Sequence, residues 1–137
     1  MPTYQEIAKM IDHSLLNPTL TDADIIAGCK LDDEYQVASV CVRPSDVILA
    51  RSILKESEVL VTSVIGFPHG TTTTLTKVTE AQEAIEKGCA ELDVVINIGK
   101  MRSREYEYVK KDIGAIIGIA HAQQVKVKVI FENIYLT

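Results

Sequence analysis

The segment Glu91-Leu-Asp-Val-Val-Ile-Asn-Ile98 decides the fold class of this chain. Its Val and Ile content predicts a strand too apolar to be half exposed, as in parallel sheets that are covered on both faces. Asp93 stands in the middle of this segment and shares its strand parity with Val95 and Asn97. A carboxylate there points inward and needs a partner to be tolerated. Polar groups inside strands favour a closed barrel with a lined interior.

Four other short apolar runs repeat the pattern along the chain. They alternate with segments of helical period at intervals of roughly 30 residues, which is typical of βαβ units. No linker or low-complexity stretch interrupts the alternation, so residues 1–137 form one predicted domain. The five predicted strands are residues 11–16, 37–42, 59–67, 92–98 and 125–131.

Helices are predicted between the strands, and their ends carry recognisable capping residues. Thr21 is a predicted N-cap, followed by Asp22 and Asp24 in the first turn, where carboxylates suit the helix dipole. Gly88 is suited to the left-handed conformation that ends a helix. The four predicted helices begin at Thr21, after Pro44 and Ser45, at Lys77 (residues 77–87), and near Ser103, the last running to about Gln123.

This alternation permits two α/β architectures, an open doubly wound sheet or part of a closed (β/α)8 barrel. Periodicity alone does not choose between them. No GxGxxG follows the first strand, which weakens a dinucleotide-binding interpretation. With the inward polar residues, this favours a partial (β/α)8 TIM barrel of about five parallel strands with intervening helices.

Composition narrows the class of protein. The chain has 137 residues, 47% of them apolar and 24% charged, with a formal net charge of −5, so an ordinary globular domain is expected and nucleic acid is a poor partner. No apolar run reaches the roughly 18 residues of a membrane span, and the start of the chain is unlike a signal peptide. A cytoplasmic protein is expected. The scattered Cys and His residues suggest neither disulfides nor a metal site.

Strand parity predicts a polar interior. Asp93 facing Lys128 across a barrel would stabilise both charges and tune both pKa values, which is how a proton-transfer site is built. The other residues predicted to point inward are Asp12 with Ser14, Ser39 with Cys41 and Arg43, and Glu132 with Lys128.

Alternatives stay open for several of these residues. The alternation in residues 125–129 also fits an edge strand with Lys126 and Lys128 on its wet side. Asp12 also fits a strand-end cap bound to nearby amides, and Cys41 a small core residue. The glycine-containing segment 64–71 fits either a ligand-binding loop or an ordinary turn after a strand.

Five segments, in order, resemble the deoxyribose-phosphate aldolases of the DeoC family. They are IDHSLLNPTLT (11–21), ASVCVRPSDV (38–47), VIGFPHG (64–70), TKVTEAQEAIEKGCAELDVVINIG (76–99) and KVKVIFENIYLT (126–137). The resemblance implies a class I aldolase that reversibly cleaves 2-deoxyribose 5-phosphate to glyceraldehyde 3-phosphate and acetaldehyde. It also implies a Schiff-base lysine and no metal or other cofactor.

The resemblance assigns roles to four residues. Asp93 matches the aspartate that relays protons through water, and is the expected catalytic residue. Lys128 matches a lysine that lines the active site, Asp12 a polar residue near the substrate, and Cys41 the cysteine of the second strand.

Two lysine motifs of the family are absent. The Schiff-base lysine is expected in a KTSTG-like motif and a helper lysine in a KxxGG-like segment, and none of the ten lysines here stands in either context. Asn133 also replaces an expected threonine. A complete barrel takes about 250 residues, so the chain is expected to supply the first five of eight βα units and to lack the later phosphate-binding loops.

Three hypotheses follow. The first is a truncated aldolase that is inactive alone. The second is a non-catalytic phosphosugar-binding or assembly half-barrel, whose open edges pair with another copy or with a complementary chain. The third, an unrelated small α/β binding domain, is disfavoured by the ordered matches.

Overall fold

Five parallel strands form one sheet in the computed structural model, which describes residues 1–136. All five predicted strands are present, with ends within two residues of the predicted ones except for the fourth, which ends at Val95 rather than at residue 98 because Asn97 caps a short helix. Neighbours in the sheet are consecutive along the chain. A doubly wound sheet reverses its strand order at a switch point, so this sequential order favours a barrel. The strands are β1 (Asp12–Leu15), β2 (Ser39–Val42), β3 (Leu60–Ile65), β4 (Glu91–Val95) and β5 (Lys126–Ile130).

Helices fill every connection between the strands. Four of them match the predicted helices, while two short ones were not predicted because each spans only about one turn and has no amphipathic period to detect. None of the helices within residues 1–136 is long and apolar enough to cross a membrane. The helices are α1 (Tyr4–Ala8), α2 (Asp22–Tyr35), α3 (Val47–Ile53), α4 (Thr74–Glu86), α5 (Ile98–Arg102) and α6 (Tyr106–Ala122).

Local hydrogen bonds explain where the helices begin and end. Thr21 caps α2, as predicted, and it does so in a reciprocal capping box with Asp24. The helix expected to start at Lys77 begins earlier because Thr73 accepts a hydrogen bond from the amide of Thr76. The helix expected near Ser103 begins at Tyr106, since Arg104 has a φ of 60° and separates it from α5.

The hydrophobic core lies between the outer face of the sheet and the helices. Alternate strand residues supply the sheet side, and small or branched residues of the four long helices cover them. Burying such side chains is the main stabilising contribution of this layer. The fully buried members include Val40, Val42, Val61, Ile65, Leu92 and Val94 from the strands, and Ile25, Cys29, Ala50, Ala81, Ile116 and Ala120 from the helices.

The sheet is strongly curled. The side chains of Lys128 on β5 and Asp12 on β1 meet, with Nζ and Oδ2 separated by 2.5 Å. In a flat sheet these two strands would lie about 19 Å apart, beyond the combined reach of a lysine and an aspartate. The five strands therefore follow the arc of a barrel, and the concave face is its interior.

Candidate active site

A row of polar side chains follows the concave face of the sheet. The strand register pairs Asp12 with Ser39, and Asp93 with Lys128. Cys41 lies opposite Thr62 in the same way. Paired residues of adjacent strands point to the same side of a sheet, so these groups share one surface. The structure thus brings together all four residues for which the sequence predicted a role in the site, Asp12, Cys41, Asp93 and Lys128.

Lys128 is the centre of this cluster. Its ammonium lies 2.5 Å from Asp12 Oδ2, 3.1 Å from Asp93 Oδ1 and 3.3 Å from Glu91 Oε2. Its side chain is 37% exposed, against 77% for Lys126 on the same strand, so only Lys126 fits the wet-edge interpretation. The expectation that Asp93 faces Lys128 across the barrel is wrong. These two are neighbours on adjacent strands, and it is Asp12 that approaches Lys128 from across the curl.

The surrounding carboxylates fix the protonation state of Lys128. Partial burial opposes its charge, but the hydrogen bond to Asp12 and the negative charge of Asp93 outweigh this, so the pKa of Lys128 is raised. An amine must be neutral to attack a carbonyl carbon. Lys128 is therefore an electrostatic and hydrogen-bonding group in this environment and a poor nucleophile.

Asp93 is a largely buried carboxylate of the cluster, with a side chain only 13% exposed. Its Oδ2 accepts a hydrogen bond from Cys41 Sγ at 3.4 Å. Its Oδ1 is buried and touches the ammonium of Lys128 without an aligned hydrogen bond. Burial raises the pKa of Asp93, and the charge of Lys128 only partly opposes this rise. A carboxyl with a raised pKa suits general acid–base chemistry.

Asp12 shows the opposite behaviour although it contacts the same ammonium. Its Oδ1 accepts a hydrogen bond from Ser39 Oγ at 2.5 Å, and its Oδ2 accepts one from Lys128. Burial opposes its ionisation, but these bonds outweigh burial and lower the pKa of Asp12. Its partners are side chains, so the strand-end cap on backbone amides is wrong. Two carboxyls whose pKa values move apart allow one to stay charged while the other exchanges protons.

Cys41 is a buried thiol in this structure. Burial raises its pKa to about 12, so it is protonated near neutral pH and is not a nucleophile. It packs on the concave face and donates to Asp93. Both sequence interpretations of Cys41, a small buried residue and a member of the site lining, agree with this position.

Two residues expected inside the barrel lie elsewhere. The guanidinium of Arg43 donates to Asp46 at 2.5 Å and to backbone carbonyls of the loop after β1, because β2 ends just before it. Glu132 lies beyond the end of β5 at a left-handed backbone position, with a φ of 51°. Strand parity fails for both because it holds only within the strand.

Glu91 is the site residue that sequence reasoning missed. It shares the parity of Asp93 and places a third carboxylate beside Lys128. Strand parity could have identified Glu91. It is, however, the first residue of β4, and the apolar run that predicts the strand begins only after it.

The segment after β3 forms a tight loop at the carboxyl end of the strands. The amide of Gly66 donates to Glu80 Oε2 at 2.7 Å, and the amide of Gly70 donates to Gly66 O at 2.7 Å. Gly70 lies so close to the carbonyl oxygen of Ile96 that a Cβ would overlap it. The loop is therefore fixed against the end of β4. At its tip, the ring of His69 stands edge-on to Tyr135, with 6.1 Å between centroids.

A separate apolar cavity of ≈ 320 Å³ lies outside the barrel, between α1, α2 and β1. His13 and Asp32 line it, and their side chains are joined at 2.6 Å. His13 follows Asp12 along β1 and points to the opposite face of the strand, so this cavity does not face the concave side of the sheet. Within residues 1–136, no group of three or more His, Cys, Asp or Glu side chains is arranged to hold a metal ion.

Comparison with known proteins gives consistent matches. The sequence profile of the DeoC/LacD family aldolases matches residues 6–137. A deoxyribose-phosphate aldolase from Rhodopirellula baltica is 47% identical over 133 residues, which is 97% of this chain and 55% of the relative.

Solved structures match over the same extent. A candidate deoxyribose-phosphate aldolase from Coccidioides immitis superposes with a TM-score of 0.93 at 40% identity, covering 99% of this chain and 53% of that one. A tetrameric deoxyribose phosphate aldolase from Aeropyrum pernix gives a TM-score of 0.87 at 29% identity, covering 95% and 54%. The chain thus spans about half the length of the relatives it matches, and the predicted partial (β/α)8 barrel is confirmed.

Proposed function

The chain belongs to the DeoC/LacD family of aldolases, and from that premise we propose that it supplies the proton-transfer part of a deoxyribose-phosphate aldolase site. The proposed overall reaction is the reversible cleavage of 2-deoxyribose 5-phosphate to glyceraldehyde 3-phosphate and acetaldehyde. The observation that carries the proposal is the cluster of Asp93, Lys128 and Asp12 on the concave face. The family's lysine chemistry requires a proton relay beside the reacting carbon.

In the proposed mechanism a neutral lysine amine attacks the aldehyde carbon, C1, and the carbinolamine loses water to give a protonated imine. This imine accepts the electron pair of the C2–C3 bond as that bond breaks, and the C3 hydroxyl loses its proton as glyceraldehyde 3-phosphate departs. The remaining enamine takes a proton at C2, and water then releases acetaldehyde and the lysine.

Each residue of the cluster has a proposed part in these steps. Asp93, with its raised pKa, relays protons through water to and from the carbinolamine and the enamine. Lys128 holds a fixed positive charge beside it, and Asp12 remains a carboxylate that holds Lys128 in place. Cys41 orients Asp93 by donating to its Oδ2.

The nucleophile itself is proposed to come from outside these 137 residues. Lys128 is the lysine whose ammonium lies within the cluster, and its raised pKa keeps it protonated. The other lysines do not stand in the sequence contexts that the family uses for Schiff-base chemistry. We therefore expect the isolated chain to be inactive.

A second candidate function is a non-catalytic phosphosugar-binding half-barrel. It is favoured by the observation that a charged cluster already forms within this chain, since Asp12 on β1 contacts Lys128 on β5. Binding of deoxyribose 5-phosphate to the isolated chain, measured by calorimetry, would support this candidate.

A chimera tests the aldolase proposal. This chain replaces the matching segment of the Rhodopirellula baltica relative, which keeps its remaining residues, and acetaldehyde release from deoxyribose 5-phosphate is measured. The chimera is expected to cleave the substrate. Asp93→Asn is expected to reduce kcat by roughly a hundredfold or more, the usual contribution of a general acid–base group. A folded chimera that releases no acetaldehyde, or an Asp93→Asn variant with full activity, would refute the proposal.

A further inference from the structure

Lys77 of α4 is a lysine with no exposed surface. Its relative exposure is 0%, and it is the largest fully buried side chain among the described residues. Its ammonium donates to Asp112 Oδ2 at 2.6 Å and to the backbone carbonyl oxygen of Val95 at 2.9 Å. A buried ammonium is costly unless such partners satisfy it. This group thus has two fixed partners on two different elements.

Asp112 completes a closed polar unit. It lies on α6, is 1% exposed, and its second oxygen accepts a hydrogen bond from Thr74 Oγ1 at 2.6 Å. The unit links the first turns of α4 to the middle of α6. Both carboxylate oxygens of Asp112 therefore accept a hydrogen bond.

The same lysine lies directly under the loop that follows β3. A Cβ built on Gly66 would stand 2.7 Å from Lys77 Cε, so the glycine packs on the lysine stem. Val95, whose carbonyl Lys77 binds, is the last residue of β4. Gly70, at the other end of the loop, lies against the carbonyl of Ile96, the next residue. Lys77 thus contacts the loop at Gly66 and the end of β4 at Val95.

We propose that Lys77 is a positioning residue that fixes the 66–70 loop against the carboxyl end of β4 and so sets the rim of the site. The inference rests on the proposed function only in taking the strand ends as the side where substrate binds, the usual side in barrel enzymes. The loop brings the exposed ring of His69 to this rim.

A purely space-filling role would not require a charge. Replacing a buried ion pair by apolar side chains of similar volume is often neutral or stabilising. The hydrogen bond to Val95 O, however, needs a donor, and no apolar side chain provides one. The hydrogen bond from Lys77 therefore orients the carbonyl at the end of β4, and a methionine at this position could not do so.

The test compares amide hydrogen exchange in the 137-residue chain and in Lys77→Met/Asp112→Leu, which removes both charges together. The amides of Gly66 and Gly70 report the loop, and the amides of β2 report global unfolding. In the double variant the loop amides are expected to exchange roughly tenfold faster relative to those of β2, as expected from losing one hydrogen bond. Lys87→Met at the C-cap of the same helix, where the lysine pairs with Glu83 near the surface, is the control and leaves the loop unchanged.

Loop amides that stay as protected as in the wild type would overturn the proposal, because Lys77 would then only fill space. A second measurement on the wild-type chain covers the case in which the double variant does not fold. The ammonium protons of Lys77 are expected to be visible by nitrogen-detected NMR and to exchange far more slowly than those of Lys110. Equal exchange at the two lysines would also overturn it. Neither measurement requires substrate, so failure here is distinct from failure of the chimera.

Discussion

Asp12 and Asp93 contact one ammonium, yet their environments act on them in opposite directions. Asp12 has two strong hydrogen-bond donors, and its pKa is lowered. Asp93 is deeper, and its burial raises its pKa. A lowered pKa means that folding favours the carboxylate, whereas a raised pKa means that folding favours the acid. Asp12 thus stabilises the charged cluster, and Asp93 costs stability at neutral pH.

Two isosteric substitutions separate these contributions. At pH 7, Asp12→Asn is expected to lower the free energy of unfolding by about 1 kcal/mol, a charged hydrogen bond reduced by solvent screening. Asp93→Asn is expected to leave it unchanged or higher, because it removes a buried charge. Urea unfolding of both variants measures the difference, and an equal loss in both would contradict the account.

The pH dependence has opposite sign for the two residues. The contribution of Asp12 is present above the ordinary aspartate pKa of 3.8 and is lost as the pH falls through its lowered folded value. The contribution of Asp93 is present below 3.8 and is lost as the pH rises through its raised folded value. Urea unfolding between pH 3 and pH 7 should therefore show the effect of Asp12→Asn shrinking in acid. An effect that grows in acid would be inconsistent with the lowered pKa.

Lys128 and Lys126 form a matched pair on the same strand. Lys128→Met leaves three carboxylates without their shared cation and is expected to lower the free energy of unfolding at pH 7 by roughly 1–2 kcal/mol. Lys126→Met removes only an exposed contact to Glu91 and is expected to have an effect near zero. Chemical denaturation of both variants provides the measurement. Equal losses would show that the cluster is not organised by Lys128.

At the scale of elements, the loop after β3 depends on a glycine conformation. Gly66 has a φ of 63°, and its missing side chain leaves room for Lys77. Gly66→Ala is expected to lower the free energy of unfolding by at least about 2 kcal/mol, from the left-handed backbone and the displaced lysine. Gly118→Ala, in α6 where a Cβ meets nothing within 4 Å, is expected to raise it by up to about 1 kcal/mol. Thermal unfolding of both variants tests the contrast, and a neutral Gly66→Ala would contradict it.

The sequence predicted those strands and helices that are long enough to show a clear hydrophobic periodicity. Five apolar strands and four helices follow from the alternation, and Thr21 and Gly88 mark helix ends as expected. The pattern missed α5, which spans about one turn just after β4, and it placed the start of α6 near Ser103 rather than at Tyr106, because Arg104 adopts a left-handed conformation there. Nor could it show that Lys77 is buried, since its partners lie on β4 and α6, far along the chain.

The residues of the concave face were predictable from the alternation of side chains along each strand, but only within the strands themselves. Parity within strands placed Asp12, Cys41, Asp93 and Lys128 on one surface, and it failed at Arg43, where β2 has already ended. Which residues of that surface touch depends on the curl of the sheet. The contact between Asp12 and Lys128 spans three intervening strands, and no local pattern encodes that distance.

At the scale of the whole molecule, the sheet is an arc with two available edges. Among residues 1–136, β1 pairs only with β2 and β5 only with β4. Unpaired strand edges favour association with another chain. The isolated 137-residue chain is therefore expected to associate or aggregate as its concentration rises, as measured by light scattering after gel filtration. A dilute monomer with a sharp cooperative melt would contradict this expectation.

Borohydride trapping tests the central claim most directly, namely that this chain provides the proton-transfer groups while the nucleophilic lysine lies elsewhere. The isolated chain and the chimera are incubated with deoxyribose 5-phosphate, reduced, and analysed by intact mass and peptide mapping. The account predicts no adduct on the isolated chain and a stoichiometric adduct in the chimera, on a lysine of the segment from the relative. A stoichiometric adduct on Lys128 of the isolated chain would contradict it.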